Sequence, residues 1–160
     1  MKVEQISVFL ANKPGGLEIV TRILEEAGIN IRALSLAETS ASGILRLIVS
    51  DVDAAKRALK ENDFTVGDTT VVAVEIPDRI GGLNAILTLL SGRGINIEYM
   101  YAFAEKSEGY AIMIFRFDRT DEAIDILLKN GITLLPGEKL YRFYSGGKLL
   151  QTGINVPILQ

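Results

Sequence analysis

Two short runs near the start of this chain have the residue types and spacing to hold a small charged ligand. The first is Asn12-Lys13-Pro14-Gly15-Gly16-Leu17, and the second is Ala27-Gly28-Ile29-Asn30-Ile31. Paired glycines where a strand gives way to a helix put unpaired N–H groups and the positive end of the helix dipole at one spot, which suits an anion. The missing Cβ lets a carboxylate or phosphate approach the backbone closely. An asparagine side chain offers both a donor and an acceptor. Together these groups match an amino acid, with the Gly-Gly amides on its carboxylate and Asn30 and strand carbonyls on its ammonium. The same residues also have a purely structural reading, in which Pro-Gly-Gly makes a tight turn and Asn30 ends a strand.

Both runs return later, as Asp78-Arg79-Ile80-Gly81-Gly82-Leu83 and Arg93-Gly94-Ile95-Asn96-Ile97. Gly16 maps to Gly82, Gly28 to Gly94 and Asn30 to Asn96, a constant offset of 66, and residues 15–31 hold eight identities in seventeen positions. Chance gives roughly one, so the chain is a tandem repeat. Its 160 residues divide into two modules of about 70 residues each. A module of that size buries too little surface to be comfortable alone, so the halves are expected to pack on each other, on a second copy, or both.

Composition removes many chemistries. With no cysteine and no histidine, the chain has no disulfide, no thiolate nucleophile, no Cys-rich zinc site and no imidazole base. A formal charge of -3 and a pI near 5.1 oppose binding that works by neutralising phosphates. Hydrophobic residues at 48% and charged residues at 23% describe an ordinary folded protein. Residues 1–4 carry no signal-peptide pattern, and the longest uncharged apolar stretch, residues 80–92, is too short to span a bilayer. These features predict a soluble cytoplasmic protein without a cofactor.

The elements that must position the two runs follow from periodicity. Residues 5–10 alternate as a strand, and the turn at Pro14, Gly15 and Gly16 leads into a helix marked by Leu17, Val20, Ile23, Leu24 and Ala27 and ended by Gly28. Strands follow at 30–37 and 44–49. Asp51 or Asp53 can cap a second helix carrying Ala54, Ala55, Ala58 and Leu59. The second copy repeats this order at 71–76, 83–91, 96–103, 110–117, 121–129 and 140–144. Each module reads as βαββαβ, an α+β fold with an antiparallel sheet and helices on one face. Residues 1–70 and 71–144 form the modules. Residues 71–76 align both as an opening strand and, at an offset of 68, with 139–144 as a closing one; assigned to the second module, they leave the first with a closing strand of about three residues. In the tail, residues 145–160, Leu149, Leu150, Ile154, Val156, Ile158 and Leu159 are too apolar to leave in water, and the tail is expected to cover a sheet edge here or in a partner.

The pattern N-x-P-G-x-L, a helix, then G-I-N-I and a glycine-containing β-hairpin, resembles the ACT domain, a small-molecule regulatory module of amino acid metabolism, twice over within residues 1–144. The resemblance implies ferredoxin-like modules with ligand sites at the interface of paired modules, built from the first loop, the start of the first helix and the second strand. In this sequence those positions are Asn12, Gly15, Gly16, Leu17, Asn30 and Ile31, and then Gly81, Gly82, Leu83, Asn96 and Ile97. The second loop departs from the pattern, with Asp78 for Asn12 and Ile80 for Pro14. A carboxylate at Asp78 attracts an ammonium and repels a carboxylate, so the two sites are expected to differ. The resemblance further implies a free amino acid as ligand, a homodimer or higher homo-oligomer, and no catalysis. A regulatory subunit of a separate amino-acid-biosynthetic enzyme is the alternative.

Residues 109–115 also echo the aromatic strand of RNA-recognition domains, but Glu108 stands where a basic residue belongs and Ile112 replaces the middle aromatic. Tyr110 and Phe115 read more simply as core or module-interface residues, and Tyr99, Tyr101 and Phe103 as pocket or packing residues. The carboxylates Asp51, Asp53 and Asp63, and Asp118, Asp121 and Glu122, read as helix capping rather than metal sites.

Overall fold

The computed structural model describes residues 1–11, 13–38, 42–107 and 109–142. The first half holds β1 (Lys2–Ala11), α1 (Gly16–Glu26), β2 (Ile31–Glu38), β3 (Ser42–Val49) and α2 (Val52–Glu61). A long strand, β4 (Val66–Pro77), leads into α3 (Gly82–Ser91), β5 (Ile97–Ser107), β6 (Tyr110–Phe117), α4 (Thr120–Lys129), β7 (Leu134–Leu135) and α5 (Gly137–Arg142). The βαββαβ order therefore occurs twice, as the repeat requires.

Among the described residues, all the strands join one seven-stranded antiparallel sheet in the order β2-β3-β1-β4-β6-β5, with β7 also on β4. β4 resolves the ambiguity over residues 71–76. Its residues 66–72 pair with β1, from Val8↔Val66 to Lys2↔Val72, and its residues 72–77 pair with β6, from Val72↔Phe115 to Pro77↔Tyr110. One strand closes the first half and opens the second, so the expected three-residue closing strand is only its first part, and the boundary at 70/71 falls inside it. Strands as apolar as Val71-Val72-Ala73-Val74, all fully buried, are what a sheet covered on both faces demands.

Residues 140–144 differ from the expected closing strand. Residues up to Arg142 lie in α5, and the last strand of the second half is the two-residue β7, which pairs Leu134 and Leu135 with Val74 and Ala73. Pro136, which has no N–H to continue a ladder, ends that strand, and Gly137 opens the helix. Residues 143 and 144, and the tail, lie outside the described residues.

Among the described residues, three apolar clusters hold the fold. Val20, Ile23 and Leu24 of α1 and Ala55 and Leu59 of α2 pack on Ile6, Val8, Leu45, Leu47 and Val49. In the second half Ile86 and Leu90 of α3 and Ala123 and Leu127 of α4 pack on Val72, Val74, Phe115 and Phe117, the two phenyl rings stacked at 5.4 Å. The third cluster lies on the faces turned away from the helices, where Val3, Ala33 and Ile48 meet Phe103, Ile112, Ile114 and Leu140. The sheet thus curls until its end strands β2 and β5 lie against each other. Within this seam Gln5 is fully buried and satisfied: its amide donates to the hydroxyls of Tyr99 (2.9 Å) and Ser7 (3.3 Å) and accepts from Tyr101 (2.9 Å). Tyr99 and Tyr101 are packing residues between the halves, with the Arg46 guanidinium over the Tyr99 ring at 3.9 Å. Phe115 is core, and Tyr110 is exposed.

The candidate ligand site

The glycine loops form as the turn chemistry requires. Gly15 and Gly81 precede their helices with φ of 89° and 83°, a left-handed conformation that costs a residue with a Cβ about 1–2 kcal/mol. They have no side chain to cap the first turn, and no side-chain cap bond is made there. The helices start at once: Ile19 N–H donates to the Gly15 carbonyl and Ala85 N–H to the Gly81 carbonyl, both at 3.0 Å. The second glycines differ. A Cβ on Gly82 would overlap the Pro77 carbonyl oxygen, whereas one on Gly16 would rest 3.6 Å from the Ala11 carbonyl oxygen. Gly82 N–H also donates to Arg79 O at 3.0 Å, and Asp78 N–H to Gly109 O at 2.9 Å, tying the second loop to the β5–β6 hairpin. Asn12 lies outside the described residues.

Asn30 and Asn96 hold matching places at the other end of each first helix. Asn30 N–H donates to Ser50 Oγ (3.0 Å), and its carbonyl accepts from Ser50 N–H (2.9 Å). Asn96 makes the same bracket with Asp118, whose Oδ1 accepts from Asn96 N–H (3.0 Å) and whose N–H donates to Asn96 O (3.2 Å). Asp118 is therefore a strand-end bracket and not a cap of α4, while Asp51 does cap α2, Oδ1 accepting from Ala54 N–H at 2.9 Å. The rest of the second acidic group forms ion pairs: Asp121 meets Lys2, and Glu122 meets Arg119, both at 2.8 Å. Ile31 and Ile97 follow the asparagines, each at a register shift in its strand and half-buried against the core of its own half.

The expectation that Asn30 lies beside the Gly15-Gly16 loop does not hold within one module. The loop follows the end of β1, α1 carries the chain back, and Asn30 opens β2 level with the start of β1. Eleven residues of α1 at 1.5 Å rise separate the two by roughly 16 Å. Asn96 and the Gly81-Gly82 loop are separated in the same way by α3. The two loops are also far from each other, because β1 and β4 are antiparallel and end at opposite sides of the molecule, roughly 50 Å apart along the strand direction. The helix length, legible in the sequence, carried the signal that the two runs sit at opposite ends.

The two ends of the first helices are lined differently. Exposed Leu17 and half-buried Leu83 stand on the first turns after the glycines. At the far end of α1, an open cavity of about 370 Å³ is lined by Thr21, Glu25, Gly28, Ile29, Asn30 and Ile31. Sequence reasoning missed Thr21 and Glu25, which share the α1 face next to Asn30 at helical spacing. The matching region of the second half is crossed by Arg119, whose guanidinium donates to the carbonyls of Gly94 (2.5 Å) and Arg93 (3.3 Å) and is held by Glu122. Asp51, the N-cap of α2, occupies the equivalent place in the first half. The two halves thus differ at this end of their first helices.

Comparison with known proteins gives the same architecture. The family model of the ACT domain pair matches residues 1–144. The crystal structure of protein BT0572 from Bacteroides thetaiotaomicron is 42% identical, with a TM-score of 0.84 over 89% of this chain and 98% of that one. The ligand-free regulatory subunit of aspartate kinase from Thermus thermophilus shares the fold at 17% identity, with a TM-score of 0.55 over 79% of this chain and 91% of that one. No curated protein matches. A twofold βαββαβ order, glycine-led first helices and a matched G-I-N-I after each of them, read with these two comparisons, lead to one conclusion: the chain belongs to the family of ACT domain pairs.

Proposed function

We propose that this chain is a regulatory protein that binds a free amino acid between paired modules and passes its occupancy to a partner. The observation that carries this reading is the placement of the half-sites. A glycine-led helix N-terminus suits a carboxylate, and an exposed asparagine in a cavity suits an ammonium, but one small ligand cannot span the roughly 16 Å of α1 between them. A second copy set edge to edge along β2 and α1 with twofold symmetry reverses that helix and brings the loop of one copy to Asn30 of the other. Exposed Leu17, Ile19, Leu34 and Leu36 lie on α1 and β2, where such a copy would bury them. Binding at the shared site would favour the paired state, and any protein that recognises the pair would feel the amino acid concentration.

The unequal half-sites support the first half as the stronger site, since Arg119 fills the cavity region beside Asn96 and a carboxylate stands at Asp78. The alternative, a regulatory subunit of a separate amino-acid-biosynthetic enzyme, draws on the same site and adds a protein partner. Thermal unfolding against each of the twenty amino acids tests the reading, because a ligand at about 100 times its Kd adds roughly 2.7 kcal/mol of stability. A shift with one or a few related amino acids is the expected result. No shift with any of them, in a protein whose melt is cooperative, contradicts it.

A further inference from the structure

We propose that the seam between the halves opens at one end into a second ligand site, which takes a small organic carboxylate with an apolar body and no amino group. Along the inner face of β1, Val3 and Gln5 are at 1% and 0% exposure, Ser7 is half-buried and Phe9 stands at 48%. β3 and β2 show the same gradient, from buried Ile48 and Ala33 to half-buried Arg46 and Ser35. The faces that meet tightly at Gln5 therefore part like a wedge towards the C-terminal end of β1. Residues directly opposite in an antiparallel ladder share a face, so Gly67, Ser7, Arg46 and Ser35 form one row across four strands. A Cβ placed on Gly67 meets nothing within 4 Å, which marks open space over that row. The next row towards the mouth is apolar: Phe9, Ile44 and Ala37.

The polar row has donors to spare and no acid. The Arg46 guanidinium lies over the Tyr99 ring at 3.9 Å and makes no ion pair among the described residues. Ser7 Oγ and the Tyr99 hydroxyl each accept from the Gln5 amide, at 3.3 and 2.9 Å, and neither donates its own proton to a described residue. A guanidinium flanked by two such hydroxyls suits a carboxylate, which takes paired charge-assisted hydrogen bonds. Residues two apart on one strand face lie roughly 7 Å from each other, within reach of a phenyl or branched aliphatic body that would rest on Phe9 and Ile44. Neither row carries a carboxylate, and the Gln5 carbonyl oxygen is already taken by Tyr101, so an ammonium here would be left without a partner at a cost in affinity. Arg46 and Ser7 belong to the first half and Tyr99 to the second, so a bound acid would hold the two halves together. This site does not depend on the amino acid site proposed above.

The test uses hydrocinnamate, with phenethylamine as the probe of the same body and opposite charge. Each is titrated into the native chain and into Arg46→Met, Gly67→Leu and Gly16→Asp, by calorimetry and by amide chemical-shift mapping. Arg46→Met keeps an unbranched side chain on Tyr99, and Gly67→Leu fills open space in an extended strand, so the two block the site by unrelated means. The expected result is hydrocinnamate binding that shifts the amides around Ser7, Ser35 and Tyr99, weakens roughly ten- to a hundredfold in Arg46→Met, weakens also in Gly67→Leu, and persists in Gly16→Asp. Phenethylamine should leave those amides unmoved. Absence of hydrocinnamate binding to the native chain overturns the proposal, as does equal binding of phenethylamine or binding that survives both Arg46→Met and Gly67→Leu. Loss of binding in Gly16→Asp alone, with shifts confined to the glycine loop, assigns the acid to the loop and overturns the seam site while leaving the amino acid reading intact.

Discussion

Gly16 and Gly82 look interchangeable in the repeat, yet their surroundings differ. Gly82→Ala drives a methyl group into the Pro77 carbonyl and is expected to cost about 1–3 kcal/mol, whereas Gly16→Ala finds ordinary contact distance and gains helix propensity. Paired chemical denaturation of the two variants checks this. Asn30→Ala removes an exposed side chain while leaving the backbone bracket with Ser50, so the melting temperature without ligand should hold. Losing a hydrogen bond to a charged ligand group should weaken amino acid binding by roughly ten- to a hundredfold, read by titration calorimetry. Burial in the seam raises the Tyr101 hydroxyl above its ordinary value, and burial raises that of Tyr141. A raised pKa means the fold favours the neutral phenol, so this stability is complete below the unfolded value near 10 and is lost as pH rises beyond it. Denaturation midpoints should therefore fall above about pH 10, and less steeply in Tyr101→Phe. The residue types at the candidate site were legible in the sequence. The neighbours that separate Gly16 from Gly82, and Asp51 from Arg119, come from contacts between distant segments and were not.

At the scale of elements, the repeat made most of the order readable: four long helices and the paired strands of each half lie where hydrophobic periodicity and glycine turns put them. The two departures have local causes. β4 runs unbroken because residues 66–77 contain no turn signal strong enough to stop a strand, so the closing strand of one half continues into the opening strand of the next. β7 is short because Pro136-Gly137 ends it and begins α5. Sharing β4 has a consequence for folding. Phe115→Ala, in the core of the second half, should cost about 3–5 kcal/mol, and the first half should unfold in the same transition because its last strand is lost with β4. Denaturation followed by tyrosine fluorescence and by far-ultraviolet circular dichroism should give coincident curves; separated transitions would show that the halves unfold independently.

For the whole molecule, the curled sheet fixes what one chain can and cannot do. Its halves close on each other through the faces opposite their helices, so each glycine loop is left far from the asparagine of its own half. On the proposed reading a complete site needs another copy, an arrangement that sequence order alone does not reveal because it depends on how modules meet. The most direct test is complementation. Gly16→Asp adds a carboxylate where the ligand's own carboxylate would sit, at a position where a Cβ meets only ordinary contact, and Asn30→Ala removes the opposite half-site. Each variant alone should bind little of the amino acid identified by thermal screening. Mixed in equal amounts and allowed to exchange, they should recover about a quarter of native capacity at native affinity, since half of the pairs carry one intact site. Recovery at that level is the result a shared site predicts. No recovery, in a mixture shown to form mixed pairs, would place the whole ligand site within a single chain and contradict the account.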